Sequence, residues 1–162
     1  MRVSCVLALS VVIALCAAGI AAAAPAPGDR APDFSLKDLD GKTVKPGDFA
    51  GKVVLISFNT TWCPHCRMAI PGLNAIAAAR KDQGFVLLSI YIQESAKKVS
   101  AFAAKHGIAY RVLLDESGAT AKAYGVRGIP SKTLIGKDGT IVCRDCRDVE
   151  KELEKLLGGT GK

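Results

Sequence analysis

The side chains best suited to chemistry in this chain are two Cys-x-x-Cys pairs, Cys63–Cys66 and Cys143–Cys146. A thiolate is a strong nucleophile, and two cysteines three residues apart can trade a disulfide with another molecule or share a metal ion. The first pair stands in Trp62-Cys63-Pro64-His65-Cys66, just after the run Val53-Val54-Leu55-Ile56-Ser57-Phe58. That run is apolar and rich in β-branched residues, which predicts a central strand covered on both faces. From Cys63 to Ala79 the spacing of Met68, Leu73, Ile76 and Ala77 predicts a helix, kinked at Pro71. Strand, short loop and helix together put Cys63 at a first helical turn, where unpaired amides and the helix dipole favour its thiolate. Cys66 falls one turn further in, on the same side and less exposed. The chemistry expected is exchange: Cys63 acts as nucleophile in a mixed disulfide, and Cys66 resolves it. Pro64 fits a first turn, where its missing N–H costs nothing. His65 adds an imidazole beside the sulfur, which tunes the pair toward the oxidising end. The rival readings are weaker: a fixed disulfide closing so small a loop constrains the unfolded chain little, and zinc needs two further ligands.

The second pair leaves alternatives open. Cys143 ends the last expected strand, and Asp145 is positioned to cap the helix after it, which would leave Cys146 at that helix's first turn. The preceding hairpin reverses the chain and brings this strand end to the same sheet edge as Pro130. A second redox pair passing electrons to or from Cys63–Cys66 and a local structural disulfide both fit. A four-cysteine metal site is a third reading, although nothing in the sequence forces the pairs within ligand distance.

The elements around these pairs alternate. Asp33–Leu36 and Lys42–Val44 flank Asp40-Gly41 and read as a hairpin, and Phe85–Tyr91 and Tyr110–Leu114 as further strands. Lys97–His106 reads as a helix stopped by Gly107, and Ala119–Tyr124 as a short one ended by Gly125. Thr133–Ile135 and Thr140–Val142 enclose Lys137-Asp138-Gly139, a hairpin turn, before an amphipathic helix over Val149, Leu153, Leu156 and Leu157. The order implies an α/β domain with a mixed sheet and helices on both faces. The chain has 162 residues, enough for one such domain with a terminal appendage.

That appendage is residues 1–24. Arg2 precedes an apolar stretch that becomes alanine-rich, and no charge occurs again before Asp29. This is the pattern of a secretory signal peptide, with A-x-A sites around Ala22 to Ala24. Residues 3–24 are also long enough for an uncleaved membrane anchor. Lipid attachment at Cys16 is disfavoured by Leu15 before it. Residues 25–32 form a proline-rich linker, and 33–158 the folded domain. On either reading the domain lies outside the cytoplasm, in a periplasmic or other extracytoplasmic space. Cys5 and Cys16 then take no part in its chemistry, and paired cysteines in an oxidising compartment read first as disulfides. The formal net charge of +7 comes from 22 basic and 15 acidic residues scattered along the chain. That describes a solvated basic surface rather than a nucleic-acid footprint.

Taken with its flanks, the Trp62–Cys66 sequence resembles the W-C-x-x-C site of the thioredoxin-like superfamily. Gly28-Asp29-Arg30-Ala31-Pro32-Asp33-Phe34, Gly51-Lys52-Val53-Val54-Leu55, Val112-Leu113-Leu114-Asp115 and Gly125-Val126-Arg127-Gly128-Ile129-Pro130 are similar to its exported TlpA/ResA branch, a redoxin (AhpC/TSA-like) type of domain. The likeness runs from Gly28 to Leu157. It implies a thioredoxin fold with an N-terminal β-hairpin and a central insertion. It also implies that Pro130 is a cis proline facing the two cysteines, with the Ile129 backbone open to strand-like pairing with a substrate chain. There are departures. Ser57 stands where thioredoxins bury an acidic residue, and Ala69 where many of the branch carry glutamate, so two proton acceptors for Cys66 are missing. Cys143 and Cys146 are not part of the family pattern.

Three other residues have plain readings: His106 as a capping or surface histidine, Lys132 as a solvated strand residue, and Thr60 as the threonine of a peroxiredoxin-type motif whose proline is replaced by Ile56. The function expected is an exported protein disulfide oxidoreductase that acts on protein substrates and a redox partner protein, with no cofactor, no metal and no nucleic acid. A Cu(I) metallochaperone using Cys63, Cys66 and His65, and a peroxidase, are the alternatives.

Overall fold

The computed structural model describes residues 24–158, so the signal or anchor segment lies outside the described residues. Strands β1 (Leu36–Asp38) and β2 (Thr43–Val44) form the expected hairpin, Leu36 opposite Val44. Strand β3 (Val53–Asn59) is buried at all seven positions. It runs parallel to β4 (Phe85–Ile92) and antiparallel to β6 (Ser131–Ile135). With β5 (Arg111–Asp115) and β7 (Ile141–Arg144), these strands make one seven-stranded sheet in the order β2-β1-β5-β4-β3-β6-β7. The helices are α1 (Pro64–Ala79), α2 (Ala96–His106), α3 (Ala119–Ala123) and α4 (Val149–Leu157).

The alternation along β3 explains why both faces are covered. Val53 and Leu55 pack with Leu73 of α1, Leu134 and Leu153 of α4, whereas Ile56 and Phe58 pack with Leu88, Ile90 and Tyr124 on the opposite face. Each such side chain, once buried, contributes roughly 1.5–3 kcal/mol. The unit α2–β5 is inserted between β4 and α3, and β5 carries the N-terminal hairpin through antiparallel pairing with β1. Helix α2 ends at Gly107, whose φ of 61° is the left-handed stop that glycine permits. His106 packs against Phe102 there in a tilted arrangement, ring centres 4.4 Å apart.

Helix α1 is met as expected, and the local expectation for α4 is corrected. Helix α1 continues across Pro71 for its full length to Ala79. Helix α4 begins at Val149 and is capped by Asp148, whose Oδ1 accepts the Lys151 N–H at 3.0 Å. Asp145 does not cap it, because its backbone is left-handed (φ 46°) and its carboxylate is spent on β6. Cys146 therefore lies in the β7–α4 loop and not in a helix.

Candidate redox site

Strand β3 delivers Asn59-Thr60-Thr61-Trp62 to the start of α1, and Cys63 is the N-cap residue of that helix. Its Sγ accepts the backbone N–H of Cys66 at 3.2 Å, taking one of the amides that a helix start leaves unpaired. Pro64 occupies the first turn, as its geometry requires. Both thiols are free, and each is only 4% exposed. Cys63 was expected to be the more open of the two. It is covered because the Ile129 carbonyl oxygen lies 4.0 Å from its Sγ. Burial pushes the Cys66 thiol up to about 12, with the Cys63 contact adding to the shift.

The structure brings Ile129 and Pro130 to this pair across 66 residues of chain, and the Ile129–Pro130 bond is cis. Around them the surface is mixed. Among the described residues, Trp62 (68% exposed) and Met68 (72% exposed) are the large apolar side chains most open to solvent, and His65 is exposed as well. Grooves flank the segment Arg127–Ile129 on both sides. One, of about 430 Å³, is shared with Thr60, Trp62 and Gln93, and the other, of about 620 Å³, with Ser131, Arg144 and Asp145.

Sequence reasoning missed the residues that hold this loop. Glu94, in the turn before α2, is buried and accepts from Thr61 N–H (2.7 Å) and Thr61 Oγ1 (2.6 Å), and it pairs with Lys98 Nζ at 2.7 Å. Burial opposes its charge, but the bonds from Lys98 and Thr61 outweigh that and keep the carboxyl below its ordinary range. Asn59, which closes β3, bonds Ser57 and Ser89 inside the sheet. The one signal in the sequence was position: Asn59 ends, and Glu94 follows, a buried strand that leads into the loop at Cys63 or at α2.

Cys143 and Cys146 are joined as a local disulfide, half-buried against the core that contains Leu134 and Leu153. Among the described residues no three His, Cys, Asp or Glu side chains gather to hold a metal ion, so the four-cysteine metal reading is not met.

Residues 27–144 match the model of the AhpC/TSA family. Thiol-disulfide oxidoreductase ResA of Bacillus thuringiensis subsp. konkukian is 33% identical over 131 residues, covering 80% of this chain and 76% of that protein. The chain is a thiol–disulfide oxidoreductase of the AhpC/TSA family. Solved structures give this oxidoreductase its fold. The thioredoxin domain of a thiol-disulfide oxidoreductase from Bacteroides vulgatus is 27% identical, with a TM-score of 0.76 over 82% of this chain and 99% of that one. A thiol:disulfide interchange protein from Bacteroides sp., also 27% identical, has a TM-score of 0.77 over 86% and 95%. The sheet and helices above are thus a thioredoxin fold, with the hairpin and the α2–β5 insertion added. The cysteine pair of the oxidoreductase sits at the head of α1, where that fold's sheet delivers it.

Proposed function

We propose that this enzyme exchanges disulfides with protein substrates outside the cytoplasm, with Cys63 as nucleophile and Cys66 as resolving thiol. The observation that carries the reading is the Cys66 N–H aimed at Cys63 Sγ from 3.2 Å, with Cys66 itself buried behind it. Negative charge on Cys63 meets a donor already in place, and the Ile129 carbonyl oxygen beside the grooves lies 4.0 Å from its Sγ. In the exchange, a substrate disulfide accepts the Cys63 thiolate, one substrate sulfur leaves as thiolate, and Cys66 then displaces the second while the pair becomes a disulfide. The reverse sequence oxidises a substrate dithiol. Trp62, Pro64 and His65 shape the approach to the sulfur. Ile129 and Pro130 supply the backbone edge for the substrate chain, and the exposed Trp62 and Met68 provide apolar contact suited to a polypeptide. Export rests on residues 1–24, read from the sequence as a signal peptide or anchor.

A Cys66→Ser variant tests this reading. Expressed in the native compartment, it is expected to accumulate mixed disulfides on Cys63 with other proteins, released by reductant, while Cys63→Ser accumulates none. Equal trapping by both variants, or by neither, would remove the assignment of roles. The copper-carrying alternative finds no third ligand beside the pair among the described residues.

A further inference from the structure

Strand β7 pairs with β6 through Thr133–Arg144 and Leu134–Cys143, and the next pair in register is Lys132 with Asp145. There the ladder changes character. Asp145 N–H still donates to the Lys132 carbonyl at 2.7 Å, but the left-handed backbone of Asp145 (φ 46°) turns its own carbonyl away. The Asp145 carboxylate takes that carbonyl's place. Oδ1 accepts the Lys132 N–H at 2.7 Å, and Oδ2 accepts the Ser131 hydroxyl at 3.3 Å. On their other side Ser131 and Lys132 are held by β3, opposite Phe58 and Ser57. On this side Asp145 alone continues the grip past Arg144, and it does so one residue beyond Pro130. Aspartate tolerates the left-handed region better than most residues with a side chain, and the contacts around it decide how firmly it is held there. Here the Cys143–Cys146 disulfide spans Asp145, one sulfur on the β7 ladder and the other packed against the α4 core.

We infer that Asp145 is a positioning residue for the substrate-docking edge at Ile129–Pro130, and that the Cys143–Cys146 disulfide holds Asp145 in its working conformation. The second cysteine pair thereby serves the first by holding the backbone beside it. The inference rests on the proposal that this edge receives a polypeptide.

The test uses the full-length oxidised enzyme and two dithiols: reduced oxytocin, which presents a peptide backbone, and dithiothreitol, which has none. In each reaction two electrons pass from the dithiol to the Cys63–Cys66 disulfide, leaving two thiols on the enzyme and a disulfide on the reagent. The chain's single tryptophan, Trp62, lies beside Cys63 and reports this pair by fluorescence. Asp145→Gly removes the carboxylate while keeping a residue at ease with positive φ, so folding is protected. The half-saturating oxytocin concentration is expected to rise about tenfold, with the maximal rate and the dithiothreitol rate within about twofold. Asp145→Asn keeps an acceptor for Lys132 and tolerates the same backbone, and it is expected to restore most of the loss. Cys143→Ser/Cys146→Ser is expected to move the oxytocin value in the same direction by about threefold. An unchanged oxytocin value in Asp145→Gly, an equal loss toward both dithiols, or no rescue by Asp145→Asn overturns the assignment to Asp145. An unchanged value in the double variant overturns the disulfide's part. A wild-type enzyme that oxidises dithiothreitol but does not saturate with oxytocin sinks the docking reading and this inference together.

Discussion

Glu94 grips Thr61 with both carboxylate oxygens, Oε2 on the backbone N–H at 2.7 Å and Oε1 on the hydroxyl at 2.6 Å. Thr61 is two residues before Cys63, so a side chain from the β4–α2 turn fixes the entry to that cysteine. Asp145 does the equivalent for the segment after Pro130. The two halves of the reacting centre are each tied by a carboxylate to a neighbouring part of the fold.

Removing that tie should cost stability in a graded way. Glu94→Gln can still turn its oxygen to the Thr61 N–H and its amide to the hydroxyl, and loses mainly the charge. Its cost is expected to be about 1 kcal/mol. Glu94→Ala strands the half-buried Thr61 N–H and hydroxyl and is expected to cost about 2–3 kcal/mol. The exposed Lys98 contributes little to either figure. Guanidinium unfolding measures both, and a Glu94→Ala protein no less stable than Glu94→Gln would refute the tie.

The same carboxyl sets a direction with pH. Its native value is depressed, so the unfolded chain binds its proton first as acid is added. The stabilisation is complete above the unfolded value of about 4.3 and fades as pH falls through the lower native one. The stability gap between wild type and Glu94→Gln is therefore expected to be constant from pH 7 to 5 and to shrink below 4. A gap that widens in acid contradicts the sign.

Cys66 gives the opposite sign in alkali. Burial, the main cause of its rise to about 12, persists when Cys63 is tied up in a mixed disulfide. Resolution needs the Cys66 thiolate, so its rate is expected to climb about tenfold per pH unit from 7 to 10 without levelling. Stopped-flow release of a preformed mixed disulfide follows this directly. A plateau near pH 8 would mean that Cys66 is deprotonated by a base, although Ser57 and Ala69 stand where an acceptor would be expected.

What could be read beforehand follows from range. Strand β3 and helix α1 were legible because seven consecutive buried positions and a proline after the cap residue are local signals. Pro130 was legible only through its resemblance to a known motif, since no local rule brings it to a cysteine 67 positions away. Glu94 and Asp145 were not legible as ties, because their partners are 33 and 13 residues distant and an isolated loop carboxylate looks like any solvated one. Asp145 was read as a cap because aspartate before a helix usually is one. Asp148 also precedes that helix, and Asp145 finds a partner in β6 that the sequence does not show.

The position where thioredoxins bury an acid holds instead a neutral network, and its weak point is identifiable. Ser57 and Ser89 face each other across β3 and β4, both fully buried, and Asn59 Nδ2 donates to Ser89 Oγ at 2.9 Å and to the Ser57 carbonyl at 2.8 Å. The Ser57 hydroxyl in turn donates to Asn59 Oδ1 at 3.3 Å. Asn59 is thus the shared partner. Asn59→Ala leaves both hydroxyls in the sheet interior without it and is expected to cost about 2–4 kcal/mol. Ser57→Ala removes one hydroxyl while Asn59 keeps its bonds to the Ser57 carbonyl and to Ser89, and is expected to cost under about 1 kcal/mol. Urea unfolding of the two variants decides the matter: if Ser57→Ala proves as costly as Asn59→Ala, the network is not centred on the amide.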